Sequence, residues 1–126
     1  MKIHYAVVFA IVAVLGLGAI VGRGLAAPAK APVYVIVDIN EITDADAFKD
    51  VLKMGPADIV EAKAADGRFI ARTENVTALD GAAPKGFVII AFDNAKKARS
   101  FYDNTKASNA MRMKATKSRA FLVEGL

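Results

Sequence analysis

Cysteine and tryptophan are absent from this chain, and its one histidine, His4, lies in the apolar segment that begins it. Past that segment there is neither thiolate nor imidazole. This excludes a Ser-His-Asp or Cys-His nucleophile, a zinc site of the usual kind and a proximal histidine for haem. Anchoring through an acylated N-terminal cysteine is excluded as well. A cation site built of oxygen alone needs convergent carboxylates, and no Asp-x-Asp-x-Asp-Gly loop occurs. The nearest pattern, Asp44-Ala45-Asp46, comes after Thr43 and reads as a helix start, with Thr43-x-x-Asp46 as a variant capping box. No metal and no cofactor are expected. Any chemistry falls to carboxylates, Lys, Arg and the phenols Tyr34 and Tyr102.

A strong charge of one sign is also missing. Seventeen basic residues face thirteen acidic ones, and two of the basic ones, Lys2 and Arg23, belong to the first segment, which leaves an excess of two in the remainder. That is too weak for nucleic acid. The densest basic stretch, Lys96-Lys97-Ala98-Arg99, reads as the solvated face of a helix.

What is present begins with Met1-Lys2-Ile3-His4, an unbroken apolar run from Tyr5 to Gly22, then Arg23 and Gly24-Leu25-Ala26-Ala27-Pro28-Ala29. A basic start, an apolar stretch and small residues before a polar boundary are what signal peptidase requires. Residues 1–27 are therefore expected to be a signal peptide, cut after Ala26, Ala27 or Ala29. The alternative is a retained membrane anchor, because the run is close to the minimum that spans a bilayer. The protein is expected in the periplasm or outside the cell, or else held at the inner membrane facing the periplasm. Residues 28–32 read as a linker and residues 33–126 as one domain.

The domain alternates strand, helix, strand, strand, helix, strand. Residues 33–41 are β-branched and apolar, as suits a central strand. Phe48, Val51 and Leu52 have helical spacing, interrupted at Gly55-Pro56, where Pro can open a second piece over 56–65. Asp66-Gly67 turns the chain into a strand over 68–74, with a short extension over 76–79. A third strand spans 87–92. Asp93 or Asn94 caps a helix that turns Ala98, Phe101 and Tyr102 inward. A further helical stretch over 108–116 offers Met111 and Ala115, and the last strand runs over 119–124. This order predicts an α+β, ferredoxin-like βαββαβ fold with an antiparallel four-stranded sheet.

Its helices suffice for one face, yet the first, third and last strands are apolar at both parities. Val35, Val37 and Ile39 alternate with Tyr34 and Ile36, and Val88, Ile90 and Phe92 alternate with Phe87, Ile89 and Ala91. The second face also needs covering, and a second copy of the chain packed sheet to sheet is the simplest cover. The other reading is an open face that receives something else.

Several stretches together resemble a known family, the one catalogued as domain of unknown function 1330. They are Tyr34-Val35-Ile36-Val37-Asp38, Ile42-Thr43-Asp44 with Phe48, Gly67-Arg68-Phe69 with Arg72, Phe101-Tyr102-Asp103 and Ser118-Arg119-Ala120-Phe121-Leu122-Val123-Glu124-Gly125. The last is the most specific, and the resemblance runs from about Val33 to Leu126. It implies a dimeric α/β barrel of ferredoxin-like subunits and supplies no reaction. Where relatives often continue from Phe-Tyr into Ser-Pro-Glu-Tyr, this chain has Asn104-Thr105-Lys106-Ala107.

The reading of function is an exported small-molecule-binding protein, with its ligand in a pocket between the sheets of a homodimer. The alternative is a cofactor-independent isomerase or oxygenase-like enzyme acting on a small organic acid or enolisable substrate; a structural role in the periplasm is a third class. Charges set within apolar strands mark either a sheet rim or a polar cavity. Asp38 shares a strand face with Tyr34 and Ile36, and Arg68 and Arg72 share one with Ile70 and Glu74. In one reading Asp38 and the arginines lie near strand ends and pair with each other or with water. In the other, Tyr34, Asp38 and Arg72 surround a small cavity: Arg72 holds a carboxylate in its fork, Tyr34 donates a hydrogen bond and Asp38 is the candidate general base. The small residues after Arg23 carry the first prediction: the intact mass of exported protein begins at Ala27, Pro28 or Lys30, and full-length chain found only in membranes contradicts cleavage.

Overall fold

The computed structural model describes residues 31–126, so the expected signal peptide or anchor and the expected cleavage positions lie outside the described residues. Strand β1 (Val33–Ile42) leads into helices α1 (Ala45–Lys53) and α2 (Gly55–Ala64), then β2 (Arg68–Thr73) and β3 (Gly86–Phe92). Helices α3 (Ala95–Asn104) and α4 (Lys106–Ala115) come next, and β4 (Thr116–Glu124) closes the sheet. The strands lie in the order β2-β3-β1-β4, with every neighbour antiparallel. This is the ferredoxin-like α+β arrangement the sequence predicts, with each crossover built from two consecutive helices. Among the described residues no helix is long and apolar enough to cross a membrane.

Local chemistry sets the breaks. Helix α1 is capped by Asp44, whose Oδ1 accepts from Ala47 N at 3.0 Å. The cap is thus one residue later than the expected Thr43, because the Thr43 and Asp44 amides both donate to Ala115 O at 2.9 and 3.1 Å. Asn94 caps α3 through Lys97 N at 2.9 Å. Helix α2 ends with Asp66 in the left-handed region, φ 56°. Gly67 N donates to Ala62 O at 2.7 Å and Asp66 N to Lys63 O at 3.0 Å, the bonding of a Schellman motif. Lys97 Nζ ties that turn to the start of α3 by donating to Asp66 at 2.8 Å and Asp93 at 3.2 Å, and these bonds, Asp66 first, raise the ammonium pKa above its ordinary value. The expected strand extension over 76–79 is irregular chain, while β4 starts three residues earlier than expected, with Thr116 opposite Ile42.

Both faces of β1 are apolar, and only one carries helices. At one end of that face Val33, Val35, Ile90 and Phe92 pack against Ala62 of α2 and Ala98 and Phe101 of α3 as a buried core. Phe92 is its largest fully buried side chain, with ring centroids 5.3 Å from Phe101. At the other end α1 covers the sheet loosely: none of its residues is fully buried, and Leu52 is 49 % exposed. The tight end also explains Gly67, where a Cβ would stand 2.5 Å from Phe92 Cε1 and 3.0 Å from Ala62 O. Gly67→Ala should cost about 1–3 kcal/mol in urea unfolding, as overpacking does. An unchanged midpoint would contradict the packing described at this turn.

Candidate functional site

The loose end of the helix layer leaves a cavity of about 130 Å³ between helices and sheet. Its floor is apolar, formed by Val35, Val37 and Ile39 of β1, Val88 and Ile90 of β3, and Phe69 of β2. Phe48, Val51 and Leu52 of α1 close one side. The opposite wall is polar. Ser108 Oγ donates to Asp58 Oδ1 at 2.6 Å, joining α4 to α2. Asn109 Nδ2 donates to Tyr102 O at 3.2 Å and Thr105 Oγ1 at 3.3 Å, joining α4 to the end of α3.

Arg112 is the centre of that wall. It is 7 % exposed and lies in the last turn of α4. Its Nη1 donates to Ser118 Oγ at 2.8 Å, and its Nη2 to Asn109 Oδ1 at 3.3 Å and Tyr102 Oη at 3.4 Å. All three acceptors are neutral. Among the described residues no carboxylate forms an ion pair with Arg112 or with Arg72. Burying a charge without a counterion costs on the order of several kcal/mol of desolvation, offset only in part by hydrogen bonds and by the negative end of the helix dipole.

The three residues expected around one cavity do not meet. Tyr34 and Asp38 stand on the sheet face that bears no helices, opposite Ala91 and Phe87 of β3. Arg72 is opposite Val88 on the helix face, and it lines the cavity. The pairing of β2 with β3 shifts between Phe69 and Ala71, which reverses the parity of the residues beyond the shift. Arg68 and Arg72 are therefore on opposite faces, although simple alternation places them together. Arg72 extends over the junction of α1 and α2, where a Cβ on Gly55 would meet its guanidinium, and it lies 5.9 Å from the Phe69 ring. The helix interruption at Gly55-Pro56 thus makes room for a cation at the cavity rim.

Asp38 is engaged elsewhere. Its Oδ2 accepts from Arg119 Nη2 at 2.9 Å across β1 and β4, and its Oδ1 is buried with no hydrogen-bond partner. Pairing it with Arg68 or Arg72 on sequence grounds overlooks Arg119, which is in register with it on β4. The Tyr34 ring lies over Gly125, where a Cβ would stand 2.8 Å from Cε2, and Gly125 N donates to Pro32 O at 2.8 Å.

Sequence reasoning also passes over Arg112. A helix that turns Ala115 inward brings Arg112 and Ser108 to the same face, at spacings of three and seven, and all three are buried. The helical period holds the signal, but attention to apolar residues alone misses it. Ala107, where the resemblance places a second tyrosine, is exposed and does not line the cavity.

Residues 32–126 match the family model described as Domain of unknown function (DUF1330), which bears out the resemblance carried by the strand and Phe-Tyr motifs. No curated protein matches the chain. Among solved structures the chain is similar to a protein of unknown function from Rhodopseudomonas palustris, a structural genomics target. That protein is 11% identical, with a TM-score of 0.56 over 77% of this chain and 84% of the other. At such identity the likeness extends to the fold alone.

Proposed function

We propose, from the premise that this chain belongs to the family described as Domain of unknown function (DUF1330), that it is an exported small-molecule-binding protein whose ligand sits between the helix layer and the sheet. The observation that supports this reading is the cavity beneath α1, with an apolar floor and a polar wall that gathers Asp58, Ser108, Asn109 and Arg112. Its volume of about 130 Å³ is of the order of an engineered apolar cavity of about 150 Å³ that admits benzene. The ligand is therefore a compound of about one ring. The site differs from the expected pocket between sheets because the chain leaves a partly open cleft on its helix side. Asp38, the candidate general base, is on the other face and paired to Arg119, so the base expected for the enzymatic alternative does not line this cavity.

The homodimer belongs to the same proposal. On the face without helices Tyr34, Ile36, Phe87 and Ile89 continue into Phe121 and Val123, which are 41% and 40% exposed. A typical stable interface removes about 800 Å² from each partner, and a sheet face of this kind provides an apolar centre. A second copy also gives the orphaned Asp38 Oδ1 a source of a donor; left alone, such a buried acceptor costs about 1–3 kcal/mol. Ile36→Lys or Ile89→Glu should yield monomer or aggregate in light scattering, and wild-type protein that stays monomeric at high concentration contradicts the dimer.

Ligand binding is tested by titrating dialysed protein with small monocyclic compounds, charged and neutral, monitored by NMR. Resonances of Val37, Val88 and Ile90 should move. Val37→Phe, which fills the floor, should abolish those shifts while the protein still unfolds cooperatively. Shifts confined to the opposite face, or unaffected by Val37→Phe, would place the ligand elsewhere.

A further inference from the structure

We infer that Arg112 is the anion-recognising group of this cavity and that the ligand it selects is a small apolar carboxylic acid, bound as the carboxylate. This rests on the small-molecule reading above and adds the chemical class of the ligand. A guanidinium carries five N–H donors in one plane, and three hydrogen bonds from Arg112 to described residues account for part of that capacity. Their acceptors are a serine, an asparagine and a tyrosine, none of which supplies negative charge.

A purely structural role leaves the charge unexplained. Tying α4 to β4 through Ser118 needs a donor, and a neutral glutamine side chain supplies one without burying a cation. A bound anion removes that difficulty, since it neutralises the guanidinium and accepts from the donors those bonds leave free, the Nε–H and the second Nη1–H. Arg72 places a second guanidinium at the rim, also without an ion pair among the described residues. Asp58 is the one carboxylate among the lining residues, and it already accepts from Ser108 at 2.6 Å. The two arginines and Asp58 leave the lining with one net positive charge.

The floor then distinguishes among anions. Val35, Val37, Phe69 and Ile90 offer nothing to a phosphate or sulfate, whose oxygens need donors on every side. A carboxylic acid with a compact hydrocarbon body satisfies both parts: its head meets Arg112 and its body covers the floor. Its single charge balances the net charge of the lining.

The test compares benzoate, benzamide and inorganic phosphate in calorimetric titrations of the dialysed protein. Benzamide has the shape of benzoate without its charge. Benzoate should bind at least ten-fold more tightly than benzamide, phosphate should give no heat, and the Arg112 Nε resonance should move with benzoate alone. Arg112→Gln should erase the preference for benzoate. Because Arg112 also holds Ser118 and that variant can fail to fold, the wild-type comparison and the Arg112 resonance decide the matter without it. Equal binding of benzoate and benzamide, with cavity resonances shifting for both, overturns the role of Arg112 and leaves the small-molecule reading intact. Phosphate binding as tight as benzoate overturns the ligand class. If neither ring compound moves a cavity resonance, this inference and the reading beneath it both fall.

Discussion

Strand β1 has two apolar faces, and that constraint shapes the rest of the molecule. It is central in the sheet, paired along its length with β3 and β4, and its side chains alternate between two faces that are both largely apolar. The chain has helices for one. Val35, Val37 and Ile39 lie under the helix layer, while Tyr34, Ile36 and Asp38 lie on the side the helices do not reach. Much of the molecule's surface chemistry derives from this division. Exposed Phe121 and Val123, the Asp38–Arg119 pair and an acceptor with no partner all occur on the second face.

The helix layer divides in turn along the direction of the strands. Toward Val33 it is tight, since Ala62 and Ala98 are small enough for α2 and α3 to approach the sheet and each other around Phe92. Toward Ile39 it is loose, where α1 lays Phe48, Val51 and Leu52 and α4 lays the polar Ser108, Asn109 and Arg112 over the same surface. Interiors are close-packed as a rule, and here the helix layer instead leaves a partly open cleft of about 130 Å³ over the sheet. Polar groups surround the gap in bonded pairs, Ser108 with Asp58 and Arg112 with Ser118, so the wall is held without filling the space.

The fold is legible in the sequence because its signals are local and mutually consistent. The apolar, β-branched runs in residues 33–41 and 87–92, the Asn94 cap, and the Gly-Pro and Asp-Gly breaks each specify an element, and their order leaves few topologies. The site is less legible because it depends on register. A shift of pairing near Ile70 moves Arg72 to the face opposite Tyr34 and Asp38, and nothing in the residues 68–74 announces it. The partner of Asp38 is Arg119, eighty-one residues away, a pairing set by strand order. Arg112 is within reach of helical periodicity, but a basic residue amid Met111, Met113 and Lys114 reads as surface until Ser118 is seen to meet it. The motif ending Ser-Arg-x-Phe-Leu-Val-Glu-Gly gains physical content in the same way. Ser118 holds Arg112, Arg119 pairs with Asp38, Phe121 and Val123 face outward, and Gly125 lies beneath the Tyr34 ring.

The central proposal is that a buried guanidinium with no ion pair among the described residues, at the loose end of the helix layer, makes a receptor for a small apolar acid. A crystal structure of the protein soaked with 4-bromobenzoate addresses it most directly, because anomalous scattering locates the bromine and the electron density places the carboxylate. Bromine is expected over Val37 and Val88, with the carboxylate accepting from Arg112. Bromine on the opposite face beside Tyr34 and Asp38, or a cavity left empty beside an unmoved Arg112, would contradict the claim.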